Sequence, residues 1–237
     1  MTWLAGSAGR RVELLHPTAE GVDFDEIAWA LAHLNRYVGH PTTPVSVGLH
    51  TLIVFDAAPP ALKPHALLHD AHEARLGDTA TPLKEAWLAC AAELHGDHGR
   101  TVVASVRRRL ETRHDQAIWR AAGLAPPSAF ELAGLKRLDI AALATERRDF
   151  WHRAPDAPAW APLIEAAQPL PRVWRFKAPD RVADELRTAF RTWLPALRDH
   201  TAFPLSGGGA DGKRDRAPEP MRGTVRPAVG QTKEFTP

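Results

Sequence analysis

Apolar residues recur at three- and four-residue spacing along most of this chain, and that helical period most constrains its fold. Asp23 or Asp25 can cap a helix whose apolar face is Ile27, Ala30, Leu31 and Leu34. A second helix is predicted from Val45 or Ser46 to Ala57, closed by Pro59-Pro60, and a third from Ala61 to Ala74 through Leu62, Ala66, Leu67 and Ala71. Gly77 and Asp78 break the chain, and Pro82 suits the first turn of the next helix. Helical stretches follow over 82–95, 100–122 and 128–150, with Gly96 to Gly99 read as a loop. The last, over 179–198, is amphipathic through Val182, Leu186, Phe190, Trp193 and Leu197. Strand patterns are few; Arg10 to Leu15, before Pro17, is the candidate. The expected class is all-α, with room for a short N-terminal β-hairpin.

The helical period stops at Leu205. Residues 205–237 are rich in Gly and Pro and contain no Trp, Tyr, Leu or Ile after Leu205. Such a segment buries too little apolar area to offset its ordering entropy, so a disordered tail is expected beyond a folded domain over 1–204. The net charge of +2 belongs to this tail; the remaining 204 residues are neutral. A neutral body argues against specific nucleic-acid binding. A single cysteine, Cys90, rules out an internal disulfide framework and a Cys-based zinc cluster. No run of 18 uncharged apolar residues exists, and the first residues lack a basic region followed by an apolar run. A soluble, cytoplasmic protein without membrane contact is expected.

The 12 histidines invite a search for chemistry. Two His-Asp pairs occur. His114-Asp115 follows the polar run Arg107 to Arg113 and reads as a solvated helix face. His69-Asp70 instead ends the apolar run Ala66-Leu67-Leu68, where an unpaired carboxylate is costly. Glu73 follows four residues after His69 and three after Asp70, on the same helical face. His50 lies on the preceding apolar helix, and Asp139 sits between Leu138 and Ile140 on a later one. Two His and two Asp suit a hard or borderline divalent ion with open positions rather than a closed structural zinc. The plain alternative is a set of hydrogen-bonded core residues. His72 points off the His69–Glu73 face and reads as helix surface. His65, four residues before His69, is either a support for it or exposed.

The order His50, His69-Asp70, Asp139 resembles the HD-domain phosphohydrolase superfamily, and within it the 5′-deoxynucleotidase branch with its bacterial and phage relatives. Three blocks carry the resemblance: Asn35-Arg36-Tyr37 with Ser46-Val47-Gly48-Leu49-His50; Leu67-Leu68-His69-Asp70-Ala71-His72-Glu73 with Gly77-Asp78 and Thr81-Pro82-Leu83-Lys84; and Leu138-Asp139 with Ala144-Thr145-Glu146-Arg147. The resemblance implies an HD-domain helical bundle and one divalent ion (Mn, Co, Mg, Zn or Fe) held by His50, His69, Asp70 and Asp139. Glu73 would position or deprotonate the attacking water, and Arg36 and Lys84 would bind phosphate. Asp78 would hold the sugar 3′-hydroxyl or a water, or only stabilise its turn. The implied activity is hydrolysis of deoxynucleoside 5′-monophosphates. Alternatives are a dNTP triphosphohydrolase and a non-catalytic nucleotide-binding domain. A homodimer is implied as well. Two departures stand out: Leu49 replaces a Glu common before the first His, and Tyr37 replaces a Trp that packs against the sugar in the family.

Overall fold

A computed structural model describes residues 2–6, 9–151 and 159–198. The chain divides after Phe203, and the whole Gly- and Pro-rich segment from Leu205 lies outside the described residues. The described part is mostly helical. An antiparallel hairpin opens it, with β1 (Trp3–Ala5) paired to β2 (Arg11–Glu13) and Leu4 opposite Val12. The strand expected over 10–15 is therefore real, and its partner is the N-terminal segment.

Helices α1 (Phe24–His33), α2 (Val47–Ala57), α3 (Lys63–Leu68) and α4 (Glu73–Leu76) form the first half. The Asp23 carboxylate caps α1 by accepting from the Asp25 and Glu26 amides, and the Ser46 hydroxyl caps α2 by accepting from the Leu49 amide. The expected single helix over 61–74 is instead a 3-10 turn at Pro60–Leu62, α3, a tight turn and α4. Across that turn the amides of Ala71, Glu73 and Ala74 reach back only three residues, to Leu68, Asp70 and Ala71. This overwinding re-aims His69 and Asp70 relative to a straight helix.

Helix α5 (Thr81–Ala122) is interrupted at His95 and Gly96, where Gly96 takes a φ of 62°. Gly99, expected in a loop, lies inside the second arm. A β-carbon there would meet the Ala91 carbonyl oxygen at 2.3 Å, so the arms close only around a glycine. Helix α6 (Ala129–Phe150) starts with a capping box between Ser128 and Glu131. A short turn α7 (Pro162–Glu165) precedes α8 (Pro179–Trp193), and Pro195 restarts the expected last helix as α9 (Pro195–Arg198).

The core lies where α1, α2 and α8 meet. Ile27, Leu31, Leu49, Ile53, Val182, Leu186 and Phe190 are all fully buried there. Gly48 lets α2 approach so closely that a β-carbon would touch Val182, Leu186 and the Ala32 amide. The end of α3 and the middle of α6 flank this junction, so His50, His69 and Asp139 can converge at its edge. Among the described residues no helix is long and apolar enough to cross a membrane.

Candidate metal centre

His50 is fully buried on the second turn of α2. Its Nδ1 lies 2.7 Å from Glu146 Oε1 on α6. A carboxylate only accepts, so Nδ1 carries the proton and Nε2 is left with a lone pair. His69 repeats the logic: its Nδ1 lies 2.8 Å from the Ala66 carbonyl oxygen, which again only accepts. Both tautomers are thus set, and the two Nε2 atoms face each other at 3.2 Å. Two lone pairs that close repel unless a proton or a cation sits between them.

Carboxylates complete the convergence. Asp70 Oδ2 lies 3.1 Å from His69 Nε2 and 3.5 Å from His50 Nε2. Asp139 Oδ1 lies 3.3 Å from His50 Nε2, and its other oxygen accepts from Lys136 Nζ at 2.9 Å. His50, His69 and Asp139 each offer an atom within 4.8 Å of the others, the one such group of metal-binding side chains among the described residues. Hydrogen bonds that orient both rings from behind are what metal-ligating histidines need. The chemistry of His50, His69 and Asp139, with Asp70 beside both rings, is compatible with one hard or borderline divalent ion.

Without a cation, the cluster meets its electrostatic demand with protons. Burial and the Arg36 guanidinium oppose charge on His50, but Glu146 and Asp139 outweigh them and push its pKa up to about 9. Asp70 and Asp139 are disfavoured by burial, yet the neighbouring imidazoles, with Arg36 for Asp70, hold both below the usual carboxylate range.

Glu73 is the opposite case. It opens α4, is buried, and its Oε2 has no hydrogen-bond partner. Burial, then the Asp70 and Asp78 charges, raise its pKa to about 8. Asp78 follows Gly77, whose φ of 81° turns the chain back, so that its charge reaches both Glu73 and Arg36. Lys84 lies half-buried in the first turn of α5, and no ion pair among the described residues involves it.

Arg36 and Tyr37 are at the site in an unexpected capacity. Arg36 is buried, donates from Nε to Glu146 Oε2 at 3.2 Å, and lies 3.7 Å from Asp70. The Tyr37 hydroxyl donates to the same Oε2 at 2.5 Å, and its ring packs against Trp151 and Trp160, which also touch each other. Both stand behind Glu146. Tyr37 and Val38 take φ of 56° and 55°, a left-handed conformation costly for side chains of this bulk. Backbone bonds from the Arg36 amide to Val45 and from the Val47 amide to Leu34 pin this strained segment beside α2.

Glu146 is the residue that sequence reasoning left without a role. It is fully buried and receives His50, Arg36 and Tyr37. Burial opposes its charge, but Arg36 and His50 keep it below the ordinary range. The signal was available: Glu146 lies seven residues after Asp139, two turns along the same helical face.

Three expectations are corrected. His114 is fully buried with Nε2 2.9 Å from the Leu14 carbonyl oxygen, and Asp115 pairs with His72 at 2.9 Å, so this stretch is no solvated face. That bond also takes His72 off the surface, with Asp115 raising its pKa to about 9 against burial. His65 is buried against the Ala125 carbonyl; the support of His69 is Ala66. The first expectation failed because the polar run at 107–113 hid the face of His114, Ala117, Ile118 and Ala122, which is buried.

No family model matches the chain. It is similar to an uncharacterized protein of Rhodobacter capsulatus, 40% identical over 93 residues that cover 35% of this chain and 47% of that protein. It is also similar to the uncharacterized protein YfdR of Escherichia coli, 30% identical over 130 residues that cover 55% of this chain and 62% of YfdR. The matched stretches thus span about half of the first relative and under two thirds of the second.

Proposed function

We propose that this chain is a metal-dependent phosphohydrolase of the HD-domain type acting on deoxynucleotides, releasing phosphate from deoxynucleoside 5′-monophosphates. The observation that carries the reading is the approach of the His50 and His69 Nε2 atoms to 3.2 Å, each ring held by a hydrogen bond at Nδ1 and flanked by Asp70 and Asp139. A divalent ion held by these four residues supplies Lewis-acid stabilisation of phosphoryl oxygens and activation of water. Positioning and charge stabilisation are most of what phosphoryl transfer asks of a protein.

The protein's own groups take the remaining tasks. Glu73, with a pKa of about 8 and a free Oε2, is poised to exchange a proton near neutral pH. In its ionised form it accepts the proton of the attacking water as the new P–O bond forms. It returns that proton to the sugar 5′-oxygen as the old P–O bond breaks. Arg36, behind the cluster, favours the ionised form of Glu146 and adds to what His69 and His50 do for Asp70.

The test is product analysis with dAMP and dATP in the presence of Mn, Co or Mg. Phosphate and deoxyadenosine from dAMP are expected. Triphosphate released from dATP would favour the triphosphohydrolase alternative, and no product from either substrate would refute the reading. The dimer implied by the resemblance is checked by sedimentation of the full chain.

A further inference from the structure

We infer that the cleft beside the cluster binds a small phosphorylated ring compound, with Lys136 gripping the phosphoryl oxygens and Trp119 the ring. This rests on the phosphohydrolase reading and names what that site takes. The cleft has a volume of about 220 Å³; His69 and Asp139 of the cluster line it together with Lys136, Trp119, Leu132 and Leu135, and with Asp115, whose carboxylate is paired with His72. It therefore joins a charged end to an apolar wall, as the two ends of a nucleotide require.

Among the cations near the cluster, Lys136 is the one placed to meet an anion from this side. Arg36 does not line the cleft, and its guanidinium is buried against Glu146 and Asp70. Lys84 does not line it either. The Lys136 side chain is 65% exposed at the rim, with Nζ on Asp139 Oδ2 while Asp139 Oδ1 faces His50. Asp139 thus divides its charge between the cluster and the lysine. With a cation bound at His50, His69 and Asp139, the Asp139 carboxylate would hold Lys136 less strongly. The ammonium, on a flexible stem with three donors, can then turn to a phosphoryl oxygen. Metal and anion binding are coupled through this one carboxylate, each strengthening the other.

The apolar wall selects the other end. Trp119 is half-buried, Leu132 is exposed at the mouth and Leu135 is buried below it. A flat ring on such a wall gains stacking without base readout. The volume lies under the roughly 300–1,000 Å³ of drug-sized pockets, which leaves room for one ring system and one phosphoryl group. A triphosphate must leave most of its chain in solvent, so monophosphates are preferred.

Calorimetry on the full chain tests this with inorganic phosphate and dAMP, with Mn and with EDTA. A Glu73→Gln background prevents turnover of dAMP. Lys136→Met should keep its Mn stoichiometry and melting temperature but bind phosphate about 10-fold more weakly with Mn, with Lys136→Arg restoring most of the loss. Trp119→Leu should bind phosphate normally and dAMP about 5- to 150-fold more weakly. Phosphate binding by Lys136→Met equal to wild type, dAMP binding by Trp119→Leu equal to wild type, or dATP binding tighter than dAMP would overturn the assignment. Lys136-dependent phosphate binding in a wild-type protein that hydrolyses neither nucleotide would keep the cleft and sink the phosphohydrolase. Hydrolysis by a protein whose variants bind normally would do the reverse.

Discussion

The dipeptide His-Asp occurs twice in this chain, at 69–70 and 114–115, with opposite outcomes. At His69 the ring proton goes to a main-chain carbonyl one turn back, leaving Nε2 bare beside His50, Asp70 and Asp139. At His114 it is Nε2 that meets the Leu14 carbonyl, and its neighbour Asp115 is committed to His72. Nδ1 of His114 is buried without a partner, and burial, then Arg75 and His72, hold its pKa down. A neutral, single-purpose imidazole stitches the N-terminal hairpin end to α5. What separates a binding site from a brace is which nitrogen is spent on the backbone and what faces the other.

The sharpest way to break this comparison is to truncate one member of each pair. Asp70→Ala removes a proposed ligand, and hydrolysis should fall by more than about 100-fold, beyond the ~10–100-fold cost of losing an outer partner. Steady-state rates across a metal titration check this. Asp115→Ala should leave metal affinity within about 2-fold, since Asp115 pairs with His72 and not with the proposed ligands.

Next in size is Glu146→Gln. Three donors, from His50, Arg36 and Tyr37, converge on the two Glu146 oxygens, and an amide replaces one acceptor with a donor. Metal affinity should drop ~10–100-fold with the fold retained, as read by competition with a chelating dye. At the other pair, His114→Ala should cost about 1–3 kcal/mol in denaturant unfolding, the cost of orphaning a buried partner, with metal affinity unchanged.

The smallest effect separates Glu73 from both pairs. Its folded pKa, about 8, lies above its ordinary 4.5. The folded state therefore holds a proton that the unfolded chain gives up first. This contribution is full below about 4.5 and is lost as pH rises towards 8. His50 acts in the same direction between its ordinary 6.5 and about 9. The melting temperature of the chelated protein should fall across this range, and Glu73→Gln should flatten the decline below pH 8.

Much of this was legible in the sequence. The cap at Asp23 marks a helix start because its carboxylate answers unpaired amides locally, and the helix starts near 46 and 128 follow from the apolar spacing. His50, His69, Asp70 and Asp139 stood out because charged or polar groups in apolar helices need partners. The break of the 61–74 helix at His69–His72 was not legible, since no Gly or Pro marks it and the apolar spacing runs on through Ala71. Nor was the placement of Arg36 and Tyr37 behind Glu146, which depends on consecutive left-handed residues that no local preference predicts. The burial of His114 was missed because the charges before it masked the apolar face it shares with Ala117 and Ile118.

The four side chains at the α2–α3–α6 junction are proposed to hold one divalent ion. Elemental analysis of protein stripped with EDTA, reloaded with Mn and desalted tests it most directly. One ion per chain in wild type and in His114→Ala, with a small fraction of that in Asp70→Ala, is the predicted result. Wild-type protein without stoichiometric metal and with activity indifferent to chelation, or Asp70→Ala with full metal content and full activity, would contradict it.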